Sequence, residues 1–180
     1  MIAAMRVIAA GLLVLEPQVV GHAEAMFEVL RDPALYAFEG APPASLEVVR
    51  ERFLRLESRR SPDGAQQWLN WVLRPAPREA PVGFVQATVV GEGHAAIAYV
   101  LARSHWGRGI ASRAVETMLA ELAAEHGVRR ATAVLKAANL RSLRLLQRLQ
   151  FAPASAALRE RLDPDDDETA MERALAPPAT

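Results

Sequence analysis

The apolar residues of this chain follow two different periods, and each period predicts a different kind of element. An apolar position at every third or fourth residue predicts an amphipathic α-helix, and a short β-branched or aromatic run bounded by turn residues predicts a strand. The helical period occupies residues 21–31, 45–60, 110–126 and 139–149. The predicted strands are residues 7–15, 68–73, 82–90, 95–102, 131–135 and 169–175.

Turn residues separate these elements and indicate the fold class. The Asp-Pro pair at 32–33 ends the first helix, Ser45 is a candidate N-cap for the second, and the glycines within 91–93 join two strands as a hairpin. The stretch 151–162 shows no clear period and is predicted to be irregular, and the acidic run 163–167 is predicted to be a loop. A helix pair, antiparallel strands and then strand–helix–strand–helix–strand predict an α/β fold with a mixed sheet.

Composition predicts a single domain and argues against two classes of partner. The chain has 180 residues, of which 51% are hydrophobic, and a formal net charge of +0. This size and composition predict one compact domain over residues 1–180, with residues 176–180 as a flexible tail. Binding to nucleic acid needs excess positive charge, so we expect no such partner. No apolar run reaches the length of about 18 residues that a membrane span needs, so we expect no membrane partner.

Cysteine is absent from the sequence. Its absence excludes disulfides, thiolate metal ligands and a cysteine nucleophile. A chain without disulfides suits a reducing compartment, and we expect it in the cytoplasm. The four histidines are scattered along the sequence, and we expect no metal site. The basic residues are almost all arginine, since Lys136 is the only lysine.

The clearest chemical signal is the segment 106–112, Trp-Gly-Arg-Gly-Ile-Ala-Ser, between a predicted strand and a predicted helix. Glycines at this position free backbone N–H groups to point at one spot, and the positive end of a helix dipole lies behind them. Such an arrangement binds phosphate. On its own, the segment is compatible with any ligand that carries a phosphate group.

The same segment resembles a family signature. The GNAT superfamily of acetyl-CoA-dependent N-acetyltransferases carries Gln/Arg-x-x-Gly-x-Gly/Ala, and this chain has Trp106-Gly-Arg-Gly109-Ile-Ala111. Tryptophan at the first position is similar to the Trp-Gly-x-Gly form found in the branch that includes the ribosomal-protein N-terminal acetyltransferases. The resemblance extends over residues 12–175.

A second GNAT motif follows at the expected distance. Family members carry Asn-x-x-Ala/Ser, then often Tyr, then Gly-Phe, and this chain matches with Asn139, Ser142 and Phe151. It departs from the motif at Leu146, in place of Tyr, and at Gln150, in place of Gly. The resemblance implies an α/β GNAT fold, with a mixed, mostly antiparallel central sheet, splayed strands and helices on both faces.

The resemblance also implies acetyl-CoA as the acyl donor, with transfer to a primary amine in a ternary complex. The backbone of the predicted strand at 100–101 would pair with the pantetheine arm, and the pyrophosphate would bind the N–H groups of 107–112. The cofactor-binding residues implied in this way are Val100, Leu101, Trp106, Gly107, Arg108, Gly109, Ile110, Ala111, Ser112 and Asn139. Arg113 could add a further contact or be solvated.

The sequence says less about which groups donate and accept protons during acetyl transfer. Many family members protonate the leaving thiolate with the Tyr that Leu146 replaces here, and Leu146 cannot donate a proton. Ser142, or a water near it, is the predicted donor because it lies on the helix face of Asn139. An α-amine has a pKa near about 8 and needs little help from a base. The predicted acceptor-binding residues are Tyr36, Phe38, Glu39 and Gln86, and Glu39, Gln86 and Glu168 are also candidate helpers for the base.

Three functions remain open from the sequence. The first is acetyl transfer to a protein N-terminus or a small-molecule amine. The second is an antibiotic or polyamine acetyltransferase, whose acceptor cleft could use the acidic run at 163–168. The third is a catalytically idle acyl-CoA-binding module, which the absent tyrosine leaves possible. The sequence is compatible with a monomer or a homodimer.

Overall fold

The computed structural model describes residues 5–38, 40–75, 79–91 and 93–176. Its centre is one eight-stranded sheet in the order β1-β2-β3-β4-β5-β6-β8-β7. Neighbouring strands are antiparallel, except that β5 and β6 run parallel. The strands are β1 (Ile8–Ala10), β2 (Leu13–Pro17), β3 (Gln67–Pro75), β4 (Gly83–Val90), β5 (His94–Leu101), β6 (Arg130–Lys136), β7 (Ala152–Pro153) and β8 (Glu168–Ala174).

Helices pack on both faces of this sheet. They are α1 (Ala23–Leu30), α2 (Leu46–Leu56), α3 (Ile110–Glu125), α4 (Leu140–Arg148) and α5 (Ala156–Leu162). Successive side chains of a strand point to opposite faces, so Trp71 and Val72 of β3 lie on different sides of the sheet. Trp71 belongs to the apolar cluster of α3 and α4, and Val72 belongs to the cluster of α1 and α2.

The two parallel strands separate along part of their length. Pairing between β5 and β6 starts at His94 and stops after Ala96, which pairs with Thr132. From there to Leu101, β5 stays paired with β4 only. One backbone edge of β5 therefore faces an opening in the sheet, where its N–H and C=O groups need other partners.

Two parts of the prediction from sequence are wrong. Residues 7–15 form a hairpin rather than one strand, because Gly11 turns the chain at φ +66, a left-handed conformation that glycine adopts without strain. The stretch 151–162 is not irregular, because it contains β7 and α5, which buries Leu158.

The predicted fold class is confirmed: an α/β fold with a mostly antiparallel sheet, splayed strands and helices on both faces. Within the described residues, no helix is both long and apolar enough to cross a membrane. Two of the predicted features, Glu39 and most of the tail at 176–180, lie outside the described residues. The division of the chain into a single domain stays a prediction.

Candidate functional site

Three adjoining clefts follow the opening in the sheet. The outer cleft, of about 580 Å³, lies between the 106–112 loop and α4. The central cleft, of about 420 Å³, lies between the end of β5 and the first turn of α4. The inner cleft, of about 220 Å³, lies in the gap between β5 and β6. Tyr99, Asn139 and Ser142 line both the central and the inner cleft.

The glycine loop forms one wall of the outer cleft. Gly107 and Gly109 adopt φ +75 and +74, and a Cβ atom built on either would meet no atom within 4 Å. Gly109 is the N-cap of α3 and supplies no side-chain cap. The first N–H groups of a helix have no partner within the helix, so those of 110–112 are directed at the space in front of the loop. This arrangement fits a phosphate group.

Trp106, at the start of the loop, packs against other parts of the protein as well as lining the cleft. Its indole Nε1 donates a 2.7 Å hydrogen bond to the carbonyl of Leu101. The guanidinium carbon of Arg141 lies 3.4 Å from the centre of its ring, a cation–π contact. Trp106 therefore connects the end of β5 to the first turn of α4 across the cleft.

The positive charge of the outer cleft comes from α4. Arg141, Arg144 and Arg148 all line it, whereas Arg108 is exposed at the loop and does not line it. Arg113 also points elsewhere, since its guanidinium lies against Gly11 in the turn between β1 and β2. Sequence reasoning missed the three α4 arginines, although their spacing of three and four residues places them on one helix face.

The open edge of β5 offers backbone groups to the central cleft. Ala102 N–H donates to Val82, so the antiparallel ladder with β4 uses the backbone of Val100 and leaves that of Tyr99 and Leu101 turned toward the gap. Of the two residues predicted to contact the pantetheine arm, Leu101 turns its backbone toward the gap and Val100 turns its backbone toward β4. The carbonyl of Leu101 already accepts the hydrogen bond from the indole of Trp106.

Three polar side chains meet where β5 approaches α4. Asn139 caps α4, since its Oδ1 accepts a hydrogen bond of 3.2 Å from the backbone N–H of Ser142. The hydroxyl oxygens of Ser142 and Tyr99 lie 2.5 Å apart. Burial raises the pKa of the Tyr99 phenol above its usual value. Sequence reasoning missed Tyr99 as a site residue. Leu146, at the position of the family tyrosine, is buried in the core.

The inner cleft is the predicted acceptor side, and the structure brings part of the predicted set together there. Tyr36 and Phe38 line it, and burial raises the pKa of the Tyr36 phenol. Gln86 of β4 pairs with Ala98 of β5, which is exposed although β5 is a central strand. Gln86 is therefore beside the open part of the sheet but does not line the cleft itself.

An ion cluster borders the inner cleft. The Nζ atom of Lys136 lies 2.8 Å from Asp167, 3.1 Å from Glu168 and 3.5 Å from Asp165. Glu168 also accepts a hydrogen bond from the backbone of Asp165, so both of its oxygens have partners. In the described parts of the chain, no three His, Asp or Glu residues are grouped so that they could hold a metal.

A sheet that opens beside a glycine loop and a helix N-terminus is the arrangement expected of a GNAT-type acyltransferase. Residues 13–152 match the family model described as acetyltransferase (GNAT) domain, so the chain belongs to the GNAT acetyltransferase family and acetyl transfer is its class of chemistry. A search of curated protein sequences finds no match.

Solved structures with the same fold are named for different acceptor molecules. One is RimL, a ribosomal L7/L12 alpha-N-protein acetyltransferase with coenzyme A, at 19% identity and TM-score 0.75, covering 94% of this chain and 98% of that one. Another is the aminoglycoside acetyltransferase AAC(6')-Ib with coenzyme A, at 18% identity and TM-score 0.70, covering 90% and 94%. A third is the Vibrio cholerae spermidine N-acetyltransferase with CoA and spermine, at 15% identity and TM-score 0.71, covering 91% and 96%. Identities this low establish the fold alone.

Proposed function

We propose that this protein transfers the acetyl group of acetyl-CoA to a primary amine, by direct attack within a ternary complex. The observation that carries the proposal is the continuous path from the arginines of the outer cleft, past the glycine loop, to the Tyr99–Ser142 pair at the gap in the sheet. A donor with phosphates at one end and a thioester at the other matches this order of chemical groups.

The outer cleft fits the phosphates of the donor. A Cβ atom built on Gly107 or Gly109 would meet no atom within 4 Å, and the first N–H groups of α3, which has no side-chain cap, lack partners within the helix. Arg144 and Arg148 add charge that a phosphate can share through paired hydrogen bonds. The pantetheine arm would then lie along the free backbone edge of β5.

The central cleft fits the reacting thioester. A backbone N–H on the open edge of β5 would stabilise negative charge on the thioester oxygen, as the donors of an oxyanion hole do. Ser142 would donate a hydrogen bond to the departing sulfur. The amine must arrive neutral, and an α-amine with a pKa near about 8 is partly neutral at physiological pH without a dedicated base.

The inner cleft would receive the amine. Its apolar wall of Tyr36 and Phe38 and the exposed Ala98 leave room for a chain or a ring. One observation favours a second acceptor class, an antibiotic or a polyamine: three carboxylates surround the single ammonium of Lys136 and leave an excess of negative charge beside this cleft.

The test is turnover on a panel of acceptors. The protein is incubated with acetyl-CoA and N-terminal peptides, simple primary amines, polyamines or aminoglycosides, and free CoA is followed with a thiol reagent. We expect CoA release only with the correct amine class. Tight binding of acetyl-CoA without release on any acceptor would contradict the proposal and favour the idle acyl-CoA-binding module.

A further inference from the structure

Two hydroxyl groups from distant parts of the chain meet in the central cleft. Tyr99 lies near the C-terminal end of β5, and Ser142 lies in the first turn of α4. Their hydroxyl oxygens are 2.5 Å apart. The phenol is largely buried, and its oxygen lies 3.4 Å from the backbone carbonyl of Ser142. The shorter contact makes the hydroxyl of Ser142, rather than its carbonyl, the principal partner of Tyr99.

We propose that Tyr99 is a positioning residue that donates its hydroxyl proton to Ser142 Oγ, so that the proton of Ser142 is free to point at the sulfur of the departing CoA. This inference rests on the proposed acetyl transfer, because it assigns how the leaving thiolate is stabilised. It explains how a serine can serve at a site where Leu146 is buried and offers no donor.

The direction of the hydrogen bond follows from acidity and from geometry. A phenol is a stronger acid than an alkyl hydroxyl, so Tyr99 is the better donor and Ser142 the better acceptor of the pair. A serine at the start of a helix without such a partner can turn its proton to a nearby backbone carbonyl. A bond accepted from Tyr99 occupies a lone pair of Ser142 Oγ and leaves its single proton for a ligand in the cleft.

Relative acidity also decides what the pair does to the thiolate. The amine nitrogen forms a C–N bond with the acyl carbon, the C–S bond breaks, and its electron pair goes to sulfur, whose alkyl thiol is about as acidic as an ordinary tyrosine, with a pKa near about 10. Burial raises the pKa of Tyr99 further, so the phenol does not give up its proton to the sulfur. The pair therefore stabilises the thiolate by hydrogen bonding, the amine releases its proton to water, and the thiolate takes one from water.

Kinetics of four variants test the proposal. We expect Tyr99→Phe and Ser142→Ala each to lower kcat at least about tenfold, because each removes a hydrogen bond to developing charge. KM for acetyl-CoA should stay within about twofold, since neither hydroxyl touches the phosphates. The double variant should be no slower than Ser142→Ala alone, because the two residues act as one unit. Ser155→Ala, which removes an exposed hydroxyl that makes no cap bond, is the matched control.

A merely structural role of Tyr99 gives a different pattern. It would raise KM, lower the thermal midpoint and add its effect to that of Ser142→Ala. That result, or an unchanged kcat in Tyr99→Phe, would overturn the proposal.

A second measurement does not depend on finding the acceptor. The thiol of CoA bound to the protein is titrated by its ultraviolet absorbance, with desulfo-CoA as the blank. We expect the pKa of the bound thiol to rise by about one unit in both Tyr99→Phe and Ser142→Ala, because each loses stabilisation of the thiolate. An equal pKa in all three proteins overturns the role of Tyr99 even where acetyl transfer is demonstrated. A shift in pKa without turnover on any amine rejects the proposed function but supports the pair, and failure to bind CoA rejects both.

Discussion

At the scale of single residues, Gly109 carries the phosphate-binding part of the proposal. We expect Gly109→Asp to weaken acetyl-CoA binding at least about tenfold, because φ +74 strains any other residue and the new carboxylate would face the phosphates. Isothermal titration with acetyl-CoA measures the change. Gly64→Asp is the matched control, since Gly64 also has φ +74 and open space around it but lies in the turn before β3. Equal affinity in the two variants would contradict the assignment of the loop.

Gly83 tests a different property, the close approach of β4 and β5. A Cβ atom at this position would overlap the backbone carbonyl of Val100 and lie 2.9 Å from the Cα of Leu101. We expect Gly83→Ala to lower the free energy of unfolding by about 2 kcal/mol, because backbone cannot move aside as a flexible side chain can. Urea denaturation measures the loss. Gly91→Ala, with no atom within 4 Å of the new Cβ, should stay within about 0.5 kcal/mol of wild type.

Some residues of the site could be predicted from sequence and others could not, for a physical reason. Gly107, Gly109, Asn139 and Ser142 act through local backbone geometry at the start of a helix, and local geometry is visible in local sequence. Tyr99 occupies an inward-facing position of a strand, where an aromatic residue predicts a place in the hydrophobic core. The role of its hydroxyl depends on Ser142, a partner 43 residues away that only the folded structure brings close.

At the scale of elements, α4 supplies both a capped first turn and a row of positive charge. We expect Arg144→Gln and Arg148→Gln each to raise KM for acetyl-CoA by about threefold to tenfold, with less effect at high salt, because exposed charge pairs are screened. Steady-state kinetics at two salt concentrations measure this. Arg159→Gln, on exposed α5, should leave KM unchanged. A salt-independent loss in the α4 variants would indicate a packing effect instead.

Element prediction failed where the pattern was short. The helix α5 has seven residues, too few to show a helical period, and only Leu158 is buried. The hairpin of β1 and β2 was predicted as one strand because both arms are apolar and Gly11 alone marks the turn. Long elements such as α3, with 16 residues, show several repeats of the period and were predicted within one residue at each end.

At the scale of the whole molecule, partly buried histidines make stability depend on pH. Burial is the main cause that lowers the pKa of His22, His94 and His126 below the ordinary value of about 6.5. Between each lowered pKa and about 6.5, the unfolded chain binds more protons than the folded one, so stability is lost as pH falls through this range. We expect the thermal midpoint to be lower at pH 5 than at pH 7.

A single substitution isolates one contribution to that loss. Both ring nitrogens of His126 are buried without a hydrogen-bond partner in the described residues, so its protonation is unfavourable in the folded state. His126→Asn should therefore reduce the difference between the thermal midpoints at pH 5 and pH 7, measured by calorimetry. A difference as large as that of wild type would show that His126 does not contribute.

The ion cluster at Lys136 affects whether the protein can acetylate its own lysine. Lys136 carries the only side-chain amine of the sequence, and it borders the same cleft as Ser142. The hydrogen bonds that its Nζ donates to Asp167 and Glu168 raise its pKa, so the nitrogen stays an ammonium without a lone pair for attack. We therefore expect the ion cluster to protect Lys136 from self-acetylation. Peptide mass spectrometry after incubation with acetyl-CoA should find Lys136 unmodified in wild type and acetylated in a variant with Asp167→Asn and Glu168→Gln.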